Sequence, residues 1–406
     1  VSGPDHEVDL DVSVPDEVAH DYLSKLHHVS ESLARFAFAP GRRDRIVFAL
    51  RDGEGAARDA VAASIAEVAR KMCRAFRPIP RRVLVSNGAR PVPFREDPYP
   101  SLRASGELHE YGPGRFAYGP TFCALIEFLD GRVRRLARAF AAESRQFPSL
   151  IGADALARCK YLRSFPHALT LVTHLREDLG AITRFASSAA WDGQRLVASW
   201  ENLAPVRCLL SSALCFHYYA LLQGTRQAAP RTITALGRCY RYEAGNLAGV
   251  ERLWDFTMRE IVFVGDGPSV LARREEGIRL SAALLDELGL AYDIETATDP
   301  FFTDTYAAQT AFQGAFELKF EARAALPWKN ETLAVASFNH HKDMFGRAFD
   351  ISLGPQGAPV DTGCIGFGLE RLAFAFLAQY GLARGAWPEA VREGVAATGG
   401  GPCATA

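Results

Sequence analysis

The chain reads as an α+β protein, a largely antiparallel sheet with helices packed on it. Three observations predict this. Apolar runs rich in β-branched and aromatic residues are joined by a hairpin signal, clearest at 236–264 (LGRCYRYEAGNLAGVERLWDFTMREIVFV), where a Gly/Asn-rich loop from Ala244 to Val250 separates two of them. Helical periodicity falls between strand groups and does not alternate strictly with single strands, which argues against a doubly wound parallel sheet. Hydrophobic residues are 48% and charged residues 23% of 406, a globular composition long enough for two or three domains.

Residues 1–40 are mixed and polar, with little periodicity, and 45–51 is a strand candidate. Val61, Ile65, Val68, Met72 and Phe76 recur at three and four, which predicts a helix over 56–76. A short strand at 82–86 precedes a proline- and glycine-rich connection over 87–119. Together, residues 1–110 predict a small α+β appendage. A long helix over 120–145 carries the stripe Leu129, Val133, Leu136 and Phe140, with Arg132, Arg134, Arg135 and Arg138 as a solvated basic face.

Beyond Pro148 the segment SLI is strand-like, and 180–205 predicts two short strands around Asp192-Gly193. Residues 206–222 are apolar enough to be buried and contain Cys215. A helix over 268–288 follows the hairpin, with Pro268 near its start and Gly289 past its end. Strands are expected at 291–295, 318–322 and 332–339. Residues 361–368 read as a glycine-rich turn opening a helix over 367–380, and the tail 394–406 as disordered.

Net charge is −1, so no bulk basic surface points to nucleic acid. The N-terminus lacks the pattern of a signal peptide, and the apolar run 209–222 is too short to span a bilayer. Eight scattered cysteines in a long chain suggest a cytoplasmic protein with reduced thiols.

The hairpin carries charge where apolar strands normally have none. Arg241 and Glu243 lie two apart, as do Trp254, Phe256, Met258 and Glu260, so each set shares a face. Buried charge is costly unless it is paired or used, and this face is expected to floor a nucleotide site. Arg241, Arg252 and Arg371 suit phosphate, which a guanidinium fork binds bidentately. Gly366, Gly368 and Arg371 form GFGLER, either an anion-binding helix start or a tight turn feeding a core helix. No GxxxxGK[ST] segment occurs. Cys215, Glu260 and Cys364 are far apart in sequence. They are core thiols and an unrelated acid or, if they converge, a zinc site with one open position. Cys208, Cys239 and Cys403 read as structural or surface thiols. His340-His341, His174 and His217 read as solvated strand ends.

YRYE and DFTMRE resemble motif 2 of class II aminoacyl-tRNA synthetases, and GFGLERLAF resembles motif 3. The helix over 120–145 with QFPSLI resembles motif 1, the dimer motif, with Pro148 as its proline. The order of QFPSLIGADALARCKYLRSFP, the Cys215 segment, RCYRYE, RLWDFTMRE, DPFF, LKFE, ASFNHHKDMFG and DTGCIGFGLERLA is narrower. It is similar to the amino acid:[carrier protein] ligases, themselves related to atypical, methanogen-type seryl-tRNA synthetases. The resemblance spans about 115–393 as one catalytic domain.

It implies a ligase that activates a small amino acid, glycine or alanine, as the aminoacyl-adenylate. The aminoacyl group then passes to the phosphopantetheine thiol of a carrier protein. It implies Zn²⁺ on Cys215, Glu260 and Cys364, with the substrate amine at the open position and Glu260 at the amino-acid end. Arg241 and Glu243 would grip ATP, Arg252 and Leu253 would contact it from the loop, Phe256 would stack on adenine, and the strand Ala334, Val335, Ala336 and Ser337 would line the site. Arg241 and Arg371 would act in catalysis with Mg²⁺. A homodimer is implied; a membrane partner is not expected. An atypical seryl-tRNA synthetase charging tRNA, or a non-catalytic paralogue, is the alternative. Two features depart from the family pattern: the size of the appendage, and Ala334 where ordinary class II enzymes place a Mg²⁺-binding glutamate, with Glu331 nearby but out of step.

Overall fold

The computed structural model describes residues 2–51, 55–74, 76, 78, 80–299, 301 and 306–398. Cys403, the tail from 399 and part of the DPFF segment lie outside them.

An eight-stranded sheet organises the chain. Its order is Val83–Ser86, Tyr292–Thr296, Lys319–Leu326, Glu331–Lys342, Asp361–Gly368, Asp255–Gly265, Arg231–Tyr240 and Glu143–Arg145. Every neighbouring pair is antiparallel except the last. Alternation along the strands sorts side chains to two faces. Ile261, Phe263, Phe320, Phe338, Ile365 and Phe367 join a core with residues of the helices Pro120–Arg138, Gly267–Glu287 and Leu369–Tyr380. Ile233, Val262, Val264 and Cys364 face the other way, against Leu209, Phe216, Tyr219, Phe345 and Phe349. One face is therefore roofed by helices, and the other is left for a site.

Local chemistry fixes the helix ends. Asp266 caps Gly267–Glu287 by accepting the Ser269 N–H, and Gly289 follows with φ +72°. The Leu369–Tyr380 helix is tied to the sheet through Glu370, whose carboxylate accepts the Thr257 N–H and hydroxyl. Buried Arg259 pairs with Asp130 and so locks the Pro120–Arg138 helix to the hairpin.

The N-terminal unit has its own three-stranded sheet, Ser2–Asp9, Arg45–Arg51 and Leu33–Phe38, covered by the helices Asp16–Leu26 and Arg58–Cys73. The sequence signal at 82–86 belongs elsewhere: Val83–Ser86 is the edge strand of the large sheet, paired to Tyr292–Thr296.

Several expectations are corrected. The 361–368 stretch is a central strand and not a turn. Its glycines let neighbours close in, since a Cβ at Gly363 would sit 2.7 Å from the Asn339 carbonyl oxygen. The helix from 120 stops at Arg138, and Ala141 with φ +50° turns the chain into the edge strand. Residues 179–188 are helical, capped by Asp178, and only Ala190–Trp191 and Leu196–Val197 form the expected hairpin. The tail is helical through Ala397, in the helix Glu389–Ala397, which buries Val391 and Val395 in the core and lays Gly394 against Phe128. No helix among the described residues is long and apolar enough to cross a membrane.

Candidate active site

On the face away from the helices lies a cavity of about 750 Å³. Its floor is set by register. Glu260 pairs with Gly366, which pairs with Ser337, which pairs with Glu321, so one row crosses four strands. Gly366 keeps the centre of that row low. Cys364 and Asn339 form the next row.

At one end Cys215, Glu260 and Cys364 converge, all buried, with their donor atoms within 4.8 Å of one another. Cys215 begins the helix Cys215–Leu221, and Glu260 meets that start. One carboxylate oxygen accepts the Leu214 N–H at 3.3 Å, the other the Cys215 N–H at 2.9 Å. Burial and then the Cys364 charge push the Glu260 carboxyl up to about 8. The hydrogen bond from Cys215, with His341 and Asn339 behind it, draws the Cys364 thiol well below the usual thiol range, while Cys215 is held well above it. Asn339 Nδ2 lies 3.4 Å and His341 Nε2 3.9 Å from the Cys364 sulfur.

Two thiols and a carboxylate are a zinc donor set, and thiolates on one tetrahedral zinc stand about 3.8 Å apart, so small shifts would seat the ion. The residues fit the metal.

Next along the floor is Arg241. It follows the end of the Arg231–Tyr240 strand, so Arg241 and Glu243 lie in the loop and not on the strand as expected. Arg241 donates to the Ser212 carbonyl at 3.1 Å and lies over the Phe256 ring, 5.4 Å from its centroid. Glu243 accepts from Arg252 at 2.9 Å. Arg371 is drawn down to about 10 by burial and then by Arg252, with Glu243 opposing.

Not every predicted residue presents a side chain to the cavity. Ser337 lines it, but a register shift opposite Ala322/Arg323 sends Val335 and Ala336 into the helix-side core, and Ala334 is half-buried outside the lining. Leu253 is a core residue. Phe256 and Arg371 flank the cavity without lining it. Glu331 is exposed and pairs with Lys329.

The histidine expectations change. His340 is buried and bonded to Asp361 at 2.8 Å, and His341 lines the cavity beside Cys364. His217 is buried and stacked on Phe147, with burial lowering it to about 4, whereas His174 is exposed. The signal for His341 was its strand period from Ser337 and Asn339. Asp21, Ser24 and Lys25 of the N-terminal helix and His28 just past its end also line the cavity, and nothing in the sequence suggested them.

No family model matches the chain. It is 34% identical over 317 residues to amino acid–[acyl-carrier-protein] ligase 2 of Bradyrhizobium diazoefficiens, covering 76% of this chain and 91% of that protein. Over 331 residues it is 28% identical to the type-2 serine–tRNA ligase of Methanopyrus kandleri, covering 77% of this chain and 63% of that one. The crystal structure of the M. kandleri seryl-tRNA synthetase with an A. aeolicus tRNASec superimposes with a TM-score of 0.72 at 24% identity. That superposition spans 98% of this chain and 79% of the synthetase, and it establishes the class II synthetase fold.

Proposed function

The chain belongs to the amino acid–[acyl-carrier-protein] ligase family, and from that premise we propose that it activates a small amino acid with ATP and loads it on a carrier protein. The observation that carries this reading is a single cavity holding a zinc-type donor set at one end and arginines at the other.

In the first step the amino acid carboxylate attacks the α-phosphorus of ATP, the bond to the β-phosphate oxygen breaks, and pyrophosphate leaves. In this reading Arg241 would meet the α-phosphate, and Arg252 and Arg371 would balance the charge on the leaving group. Glu243 holds Arg252. Phe256, beside the cavity, would stack on adenine. Cys215, Glu260 and Cys364 would hold Zn²⁺, which supplies a Lewis-acid position for a neutral amine. So small a side chain gives little apolar contact, which leaves selectivity to the amine. Neither Ala334 nor the exposed Glu331 offers a carboxylate in the cavity, so Mg²⁺ would assist the arginines from other acids, of which Glu243 and Asp299 line it. In the second step a phosphopantetheine thiol attacks the adenylate carbonyl, AMP leaves and a thioester forms. A homodimer built on the Pro120–Arg138 helix is part of the proposal, and light scattering tests it.

One observation favours a second reading, tRNA charging. The synthetase superposition spans 98% of this chain, N-terminal unit included, while the sequence matches to the ligase and to the serine–tRNA ligase cover it almost equally, 76% and 77%. Pyrophosphate exchange across the amino acids, followed by transfer to holo carrier protein or total tRNA, separates the readings. Glycine- or alanine-dependent exchange and a labelled carrier thioester are expected. Serylated tRNA would overturn the carrier reading, and absence of exchange with any amino acid would indicate a non-catalytic paralogue.

A further inference from the structure

One face of the strand Asp255–Gly265 carries Phe256, Met258 and Glu260 in turn. Met258 and Glu260 are the residues of this strand that line the cavity. The Met258 backbone pairs with Gly368, yet its methyl lies over Gly366, the residue opposite Glu260. The side chain therefore leans along the strand toward the donor set. A Cβ on Gly366 would fall 2.7 Å from Met258 Cε, 3.6 Å from Ser337 Oγ and 3.7 Å from Glu260 Cγ. The space that Gly366 leaves open is thus filled by the Met258 methyl, with the Ser337 hydroxyl and the Glu260 stem beside it.

The order of groups along this strand is fixed by contact. Arg241 lies over the Phe256 ring, and Glu260, four residues on, belongs to the donor set. About 13 Å separates those two positions at roughly 3.3 Å per residue, and Met258 stands midway. An amino acid held by its amine at the donor set, with its carboxylate directed toward Arg241, places its Cα beside the Met258 methyl. Behind Met258 are Leu214, Ala235 and Cys239, all buried, which limit how far the thioether can withdraw. A metal can select for an amine, but it does not read the size of the side chain next to it. A wall does.

Resting on the ligase reading above, we infer that Met258 is a specificity-determining residue: its methyl, seated over Gly366 beside Glu260, admits a Cα substituent no larger than methyl. The unbranched thioether can rotate enough to accept alanine as well as glycine. The residues packed behind it stop it there, so 2-aminobutyrate meets the methyl, and β-branched valine meets it more severely.

The test is pyrophosphate exchange with glycine, alanine, 2-aminobutyrate and valine in the full-length wild type, Met258→Ala and Met258→Leu. Calorimetric affinities for the unreactive glycyl- and valyl-sulfamoyl adenosines accompany it. The wild type should favour alanine over 2-aminobutyrate about tenfold or more in kcat/KM, the discrimination typical of one methylene. Met258→Ala should bring that ratio close to one, and should tighten the valyl analogue relative to the glycyl analogue about tenfold or more. Zinc content should match the wild type, because Met258 is not a ligand. A purely structural role would lower exchange with all four amino acids alike and leave the ratios where they were, which overturns the inference. Met258→Leu is a swap that cores tolerate. It shortens the side chain by one bond and should relax the same ratio in the same direction, which keeps the question decidable even if Met258→Ala does not fold. Unchanged ratios in either folded variant overturn the inference, as does a wild type that takes valine as readily as alanine. Wild-type exchange with ratios that neither variant moves defeats this inference alone. A wild type without exchange for any amino acid defeats the ligase reading with it.

Discussion

The Glu260 carboxylate accepts the backbone N–H of Cys215 at 2.9 Å. Two of the three residues of the donor set are thereby fixed to each other by the fold itself. Cys215→Ala should reduce zinc from about one ion per chain to a small fraction, because loss of a direct ligand costs more than the roughly 10–100-fold typical of an outer partner. Elemental analysis of purified protein reads this, and unchanged zinc would show that the cysteines are ordinary core thiols.

His341 stands behind Cys364 and also faces the Thr362 hydroxyl at 3.2 Å. It would orient the thiolate. His341→Ala should weaken zinc binding about 10–100-fold while leaving the melting temperature nearly unchanged. Competition with a chelator gives the affinity; wild-type affinity would remove His341 from the site.

Arg241 and Arg371 differ in what they touch. Arg241 lies over Phe256 and donates to a carbonyl, so its planar fork matters as well as its charge. Arg241→Lys should therefore lose most of the exchange activity, about 100-fold or more, as Arg371→Ala should. A lysine at 241 with near-normal kcat would mean that only charge is needed there.

How much of this was legible follows from the range of each interaction. The period of two along 256, 258 and 260 showed a functional strand face, because that face needs only local geometry. That Cys215 and Cys364 meet is a property of three strands in register and a helix start, and only the family resemblance brought them together beforehand. The glycines at 363, 366 and 368 read as a turn because glycine is a turn residue. In the sheet the same lack of a side chain serves close approach of Asn339 and Met258. The docking of Asp16–Leu26 left no local signal, since Ser24 and Asp21, which seat it, look like residues of a solvated face.

Gly363 makes that close approach testable. A Cβ there would meet the Asn339 carbonyl oxygen at 2.7 Å and Val270 Cγ1 at 2.9 Å. Backbone cannot rotate away as a side-chain tip can. Gly363→Ala should cost about 1–3 kcal/mol and displace Asn339 from Cys364, lowering zinc affinity as well. Denaturant unfolding with metal analysis reads both, and a stable, zinc-replete variant would contradict the packing described.

Lys25 supplies a pH dependence. Burial, with Arg252 adding to it, lowers its ammonium from the usual 10.5 to about 8, although Asp21 and Glu243 oppose the shift. His28 and His167 face it but are themselves lowered, to about 4 and about 3, so both stay neutral in this window. Below pH 8 the lysine is charged in the folded and unfolded chain, and the fold bears the full cost of burying it. Between pH 8 and 10.5 the unfolded chain binds the extra proton, so stability contributed at this position rises with pH. Relative to Lys25→Met, the nucleotide-free wild type should therefore gain on the order of 3 kcal/mol from pH 7.5 to 10.5. Denaturation of both proteins across that range decides it, and a pH-independent difference would place the Lys25 ammonium in solvent.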